Sequence, residues 1–273
     1  MPNKFFNKIN PLHQEKFNQF YKKLQAFEIS EDSHVLLEKV DVKKPILFLA
    51  ATHGDESIGI EVLKDLGKSA DFDWLIANEK ALELNQRFVD CDLNRAGPGN
   101  SRSEKHEERR AAEIIKQAKN YNSIIDLHGS KVDTGLFIIL TKLSFNDLML
   151  ALQFNIKNIV IWLPSTTRDF GPLVEFIEPA IEIEAGPKND PGVARELKKI
   201  IKEFCGNYSR PITKENLAGK NIYFVNGKLE KCDRQLKDFE LTKIDDEEFY
   251  PLLAGEYEIA CYKMIKVHWT PNT

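Results

Sequence analysis

Between residues 35 and 204 short apolar runs alternate with stretches of helical period, and this alternation most constrains the fold. The runs at 35–42, 46–51, 74–77, 123–127, 136–141, 159–163 and 180–183 read as strands. Segments 57–66, 104–119, 145–154 and 191–204 read as helices, and 13–27 has a helical look. Strands alternating with helices over such a length imply an α/β sheet covered on both faces. The pattern changes near Ser209-Arg210-Pro211, after which β-like pieces follow at 221–226, 227–231 and 257–267. The expected organisation is a catalytic-type α/β domain over 1–209 and a smaller β-rich domain over 210–273.

Composition excludes several classes of function. The 273 residues carry 38 Lys plus Arg against 42 Asp plus Glu, a net charge of −4, which is unlike the basic stripe of a nucleic-acid binder. An anionic ligand must then be held by local arginines. No apolar run approaches the roughly 18 residues of a membrane span, and the N-terminus lacks the apolar core of a signal peptide. Cys91, Cys205, Cys232 and Cys261 form no CxxC pair and read as reduced thiols of a cytoplasmic protein. The acidic cluster at 245–248 reads as a solvated turn. Whether the chain forms a homo-oligomer is left open.

Four partial motifs fail. Gly67-Lys68-Ser69 lacks the first glycine of a phosphate-binding loop, because position 62 is Val62. His106-Glu107 begins like a helical zinc-protease motif, but position 110 is Arg110. Gly97-Pro98-Gly99 lacks the third glycine of a dinucleotide loop, and Gly129-Ser130 lacks the flanks of a nucleophile elbow.

What survives is a set of polar residues where apolar strands end, the place where ligand sites collect in open α/β sheets. His53 and Glu56 follow the run at 46–51 and, three apart, can converge on one point. His128 ends the run at 123–127, with Asp126 two residues earlier on the same face, placed to support it. Two imidazoles and a carboxylate suit zinc, with a fourth position open in catalytic sites. Glu182 and Glu184 end the run at 180–183 beside Gly186-Pro187; they share one face, so the pattern leaves open which of them works. Buried carboxylates there must be paired or functional. Arg87, Asn94 and Arg95 flank a polar loop with Asp90 and Asp92, and Arg168 follows the run at 159–163. Guanidinium groups bind carboxylates bidentately, which suits a carboxylate substrate.

Taken together, HGDE at 53–56, QRFVDCDLNR at 86–95, IIDLHG at 124–129, STTR at 165–168 and EIEAGP at 182–187 occur in an order that resembles the succinylglutamate desuccinylase/aspartoacylase family. HEERRAAEI at 106–114 resembles its Tyr-Glu-x-x-Arg-Arg-Ala helix, and FYPLLAGEYEIACYK at 249–263 resembles its C-terminal segment more loosely. The resemblance implies a zinc carboxypeptidase-like fold: a mixed, mostly parallel sheet flanked by helices, with a β-rich C-terminal domain bordering the site. It implies one zinc per chain on His53, Glu56 and His128, with Glu184 as general base and Arg87 polarising the scissile carbonyl. It places Asn94, Arg95 and Arg168 on the substrate's carboxylates and Asp92 as the residue ordering their loop. The C-terminal tyrosine is Tyr257, with Tyr262 as the other candidate.

The activity so implied is zinc-dependent hydrolysis of the amide of a small anionic N-acyl amino acid. A zinc carboxypeptidase acting on peptides and a non-catalytic metal-dependent metabolite binder are the alternatives. Two departures bear on substrate choice. The substrate-contacting tyrosine of aspartoacylases falls here at Pro164, and Ala96-Gly97-Pro98-Gly99 replaces the usual residues after Asn94-Arg95.

Overall fold

Strand β1 (Ile46–Ala50) shows why this chain builds a two-faced sheet: all five of its residues are buried. Alternate side chains leave opposite faces of a strand, so Ile46, Phe48 and Ala50 enter one apolar core and Leu47 and Leu49 another. The computed structural model describes residues 9, 11–25, 46–67, 72–164, 169–208, 210, 212, 216–217 and 219–267. The strand expected at 35–42 and Arg168 lie outside the described residues.

The elements in order are α1 (Pro11–Gln25), β1, α2 (Ile58–Leu66), β2 (Phe72–Ile76), α3 (Glu79–Glu83), α4 (His106–Ala118), β3 (Ser123–Gly129), β4 (Gly135–Leu140), α5 (Phe145–Leu152), β5 (Asn158–Ile161), β6 (Ala180–Gly186), α6 (Pro191–Asn207), β7 (Asn221–Leu229), β8 (Thr242–Ile244), β9 (Glu247–Leu252) and β10 (Cys261–Val267). They form one sheet of order β2-β1-β3-β6-β4-β5-β7-β10-β9-β8. Strands β1, β2, β3 and β6 run parallel; β4 lies antiparallel to β6, and β5 and β7 follow β4 in parallel. The sheet is therefore mixed and mostly parallel, with antiparallel β10, β9 and β8 completing one edge.

Helices α2 and α6 pack on the Phe48 face through Ile58, Val62, Leu197 and Ile201. Helix α4 packs on the Leu47 face through Ala111 and Ile114. Fully burying one such Leu or Ile contributes about 1.5–3 kcal/mol relative to exposure. Helix starts follow local chemistry. Ser144 accepts the Asp147 N–H at the start of α5, and Asp190 accepts the Gly192 N–H at the start of α6, where Pro191 has no N–H to lose.

The C-terminal part is β-rich as expected, and its strands extend the main sheet: β7 pairs with β5, and a third apolar cluster joins Phe137 and Val160 to Tyr223, Leu252 and Met264. The pieces expected at 221–226 and 227–231 are one continuous strand. The strand expected from 257 begins at Cys261, because 253–260 forms turns. The acidic cluster turns the chain between β8 and β9, with Asp245 at φ +52. Among the described residues no helix is long and apolar enough to cross a membrane.

Candidate active site

The carboxyl ends of β1, β3 and β6 lie side by side, and they bring the sequence-expected polar residues into one cavity of about 430 Å³. Beyond β1, Ala51 adopts φ +54, a conformation that L-residues avoid and that functional sites often retain. Thr52 and His53 follow, and Thr52 Oγ1 donates to Asp126 Oδ1 at 2.7 Å. Gly54 then passes against α3: a Cβ there would lie 2.1 Å from the Ala81 carbonyl carbon. Gly54→Ala is therefore expected to destabilise the protein by at least about 1–3 kcal/mol, the usual cost of overpacking. Urea denaturation checks this, and an unchanged midpoint would refute it.

Glu56 is the hub. Its Oε1 lies 2.8 Å from His53 Nδ1 and its Oε2 lies 3.2 Å from His128 Nδ1. Gly129 N–H donates to the same Oε2 at 3.0 Å, and Arg87 Nη1 approaches Oε1 at 3.5 Å. Both imidazoles thus present Nδ1 inward. Their outer nitrogens face carboxylates: His53 Nε2 lies 3.0 Å from Asp92 Oδ1, and His128 Nε2 lies 3.1 Å from Asp126 Oδ2. The second contact has ion-pair distance without the alignment of a hydrogen bond. Carboxylates behind inward-facing imidazoles are the arrangement that orients metal-binding histidines.

The electrostatics agree with a cation site. Burial alone would raise the Glu56 carboxyl, but hydrogen bonds from His128 and His53 hold it well below the usual carboxylate range. Burial opposes charge on His53, yet Asp92 and Glu56 raise its pKa. His128 behaves likewise, with Asp126 the main charge acting against burial. Three carboxylates around two imidazoles favour positive charge at their centre, which protons or a divalent ion can supply. His53, Glu56 and His128 each offer a ligand atom within 4.8 Å of the others. Nitrogen and oxygen donors in this number fit zinc.

Strand register separates the two glutamates that the sequence left equivalent. On β6, Glu184 stands beside His128 of β3, and Glu182 stands beside Asp126. Asn94 Nδ2 donates to Glu182 Oε1 at 3.0 Å, so Glu182 is tied to the loop. Both line the cavity, but Glu184 has no such tether among the described hydrogen bonds. Burial, then the neighbouring Glu56 charge, push its pKa well up.

The remaining expected residues are distributed around this centre. Arg87, Asn94, Arg95 and Tyr257 all line the cavity. Arg87 also reaches Asp92 Oδ2 at 3.4 Å, and Arg95 Nη1 donates to the Asn94 carbonyl. Glu184 and Arg87 both act electrostatically on the Tyr257 hydroxyl, whose pKa burial raises. Tyr262 lines the cavity farther along, edge-on to Trp162 with centroids 4.4 Å apart. Only Arg168 cannot be placed, since it lies outside the described residues.

One positioning residue escaped the sequence reading. Glu107, fully buried at the start of α4, accepts the backbone N–H groups of Val89, Asp90 and Cys91 at 2.7, 3.0 and 3.2 Å. It thereby fixes the loop that carries Asp92, Asn94 and Arg95. Its place in the helix at 106–114 was the only signal. Burial alone would raise its pKa, but these bonds and that from Asn78 lower it. A depressed carboxylate stabilises the fold above the unfolded pKa of about 4.3, and that contribution is lost as pH falls through the folded value. Glu107→Ala leaves three part-buried backbone donors and the buried Asn78 amide without their acceptor and is expected to cost about 2–4 kcal/mol. Chemical denaturation at neutral pH and near pH 3 checks both statements: the difference between wild type and variant should shrink in acid.

Comparison with known proteins places this geometry. A family model described as succinylglutamate desuccinylase/aspartoacylase catalytic domain matches residues 43–200, more than half of the chain. Mouse aspartoacylase is 28% identical over 196 residues, covering 60% of this chain and 62% of its own length. A probable aspartoacylase of Trichodesmium erythraeum is 30% identical over 164 residues, covering 52% of this chain and 55% of its own. The chain thus spans little more than half the length of these curated relatives. Among solved structures, murine aminoacylase 3 superposes with a TM-score of 0.65 at 17% identity, over 84% of this chain and 97% of that one. The succinylglutamate desuccinylase of Chromobacterium violaceum gives 0.62 at 17% identity, over 85% and 86%. At these identities the superpositions speak for the fold alone; with the family match over 43–200, the chain belongs to the succinylglutamate desuccinylase/aspartoacylase family.

Proposed function

We propose that this protein is a zinc-dependent amidohydrolase that cleaves the amide bond of a small N-acyl amino acid. The observation that carries the reading is the convergence of His53, Glu56 and His128 at one end of a cavity that Glu184 also lines. Family membership supports the same reaction class, since the curated relatives include aspartoacylases and N-acyl-aromatic-L-amino acid amidohydrolases.

His53, Glu56 and His128 would hold the metal, with Asp92 and Asp126 fixing the two imidazoles. When bound there, zinc supplies Lewis acidity toward the amide carbonyl and acidifies a water. Glu184 takes a proton from the attacking water and hands it to the leaving amine. Its position beside His128 on the neighbouring strand, lining the cavity, suits both tasks. Arg87 points a guanidinium at the carbonyl oxygen as charge develops there; such a donor is typically worth about 3–4 kcal/mol. Asn94, Arg95 and Arg168 hold the substrate's carboxylate. Asn94 Nδ2 has a second hydrogen to offer beyond the one that Glu182 accepts. In this reading residues 1–209 carry the reacting groups, and 210–273 form the smaller unit that walls the cavity through Tyr257.

The test is primary-amine release by zinc-loaded protein from N-acetylaspartate, N-succinylglutamate, other N-acyl amino acids and one blocked dipeptide. Release from N-acyl amino acids in preference to the dipeptide is expected. Preference for the dipeptide would replace this reading with a peptidase, and silence across the panel with stoichiometric zinc would replace it with a metabolite binder.

A further inference from the structure

The cavity does not end at the candidate metal centre. It continues across β4, β5 and β7 to β10, and there its lining changes character. Ile139 stands beside Glu182 in the sheet, and Trp162, Leu163, Phe224, Val225 and Tyr262 line the cavity beyond it. Three strand spacings separate β6 from β7, which makes this arm roughly 14 Å long. Its polar members are few: His13 Nε2 bonds the Pro164 carbonyl at 2.6 Å, Lys228 pairs with Glu230 at 2.7 Å near the surface, and Thr141 and Asn226 add a hydroxyl and an amide, the Asn226 Oδ1 being buried without a partner. A second substrate carboxylate would need a desolvated cation as partner. Among the described residues the lining cations are Arg87 and Arg95, both on the loop at the metal-centre end, and Lys228, which is largely exposed and paired with Glu230.

We propose that this arm is a subsite for an elongated apolar group of the substrate, either a medium-length acyl chain or an aromatic side chain. The inference rests on the amidohydrolase reading for its chemistry, but the subsite itself rests on the lining alone. Trp162 and Tyr262, packed edge to face, form a rigid aromatic wall, and Ile139, Leu163 and Val225 line it with aliphatic surface. Such walls reward apolar area and give nothing to a succinyl carboxylate. Pro164 follows this wall directly and lines the cavity as well.

Two measurements test the subsite. In the first, octanoate, 3-phenylpropionate and succinate are titrated calorimetrically into the protein. Either apolar acid should bind at least tenfold more tightly than succinate, about 1.4 kcal/mol. The acid that binds better tells an acyl chain from an aryl group. In the second, zinc-loaded protein hydrolyses N-octanoylalanine, N-acetylphenylalanine, N-acetylalanine and N-succinylalanine. One of the first two should exceed N-acetylalanine in kcat/KM at least tenfold. Trp162→Ala should cut that preference by a similar factor through KM, and Leu163→Lys should shift preference toward the succinyl substrate. Leu163 is only partly buried, so its variant tests the subsite even if Trp162→Ala fails to fold. Apolar binding without hydrolysis would uphold the subsite and overturn the amidohydrolase reading. Hydrolysis of acetyl and succinyl substrates, with succinate the tighter ligand, would uphold the hydrolase and overturn the subsite.

Discussion

Glu184→Gln is expected to bind one zinc per chain and to turn over N-acyl amino acids about 10²–10⁴-fold more slowly than wild type, the usual worth of a general base. The replacement keeps shape and removes the ability to take a proton. It also removes a negative charge that Glu56 disfavours, so neither metal retention nor folding should suffer. Glu182→Gln is the control on the same face of β6. It keeps an oxygen that can accept from Asn94 Nδ2, loses the charge behind that bond and keeps the base, so its loss should be smaller and fall partly on KM. Paired measurements of zinc content, kcat and KM decide the matter. Near-normal turnover in Glu184→Gln would sink the assignment, and a larger loss in Glu182→Gln would move the base to that residue.

His128→Ala is expected to lose stoichiometric zinc altogether. It removes one of three converging donors and deprives both Glu56 and Asp126 of a partner. Asp126→Asn should be graded, because it alters the group behind the imidazole and the acceptor of Thr52 but leaves His53, Glu56 and His128 in place. A loss of about 10–100-fold in metal affinity is typical of such partners, and His128→Ala should exceed it. Competition against a chelating dye measures both, with circular dichroism to verify that the variants are folded. Wild-type affinity in His128→Ala would place the metal elsewhere. The second cluster of possible donors, Asp126, His128 and Glu182, shares His128 and would be lost too. The pair His53→Ala and Glu182→Gln separates them: only the first should abolish binding if the site is the one proposed.

Much of the α/β part was legible because buried parallel strands write themselves as unbroken apolar runs. β1, β3 and β6 were visible in this way, and so were the polar residues that interrupt them at their carboxyl ends. The edge was less legible. β8 and β9 carry Thr242, Lys243, Glu247 and Glu248, whose side chains face water on a short hairpin, so no alternation marks them. The pattern of the sequence changes near 209, but pattern says nothing about pairing. That β7 joins β5, 60 residues earlier in the chain, is a non-local choice.

The chain's sequence determined by itself where polar chemistry could gather: His53, Glu56, His128 and Glu184 each follow or end an apolar strand, and local periodicity fixes those ends. Tertiary structure alone decided who meets whom. A strand's two-residue period places Glu182 and Glu184 on one face, and only the β3–β6 register sets Glu184 beside His128 and Glu182 beside Asp126. Folding likewise turned Nδ1 of both histidines toward Glu56 and brought Glu107 under a loop 16 residues away. It also carried Tyr257 to the cavity from the far end of the chain. These are long-range contacts, specified by packing and hydrogen-bond satisfaction across the whole sheet, and no stretch of sequence encodes them locally.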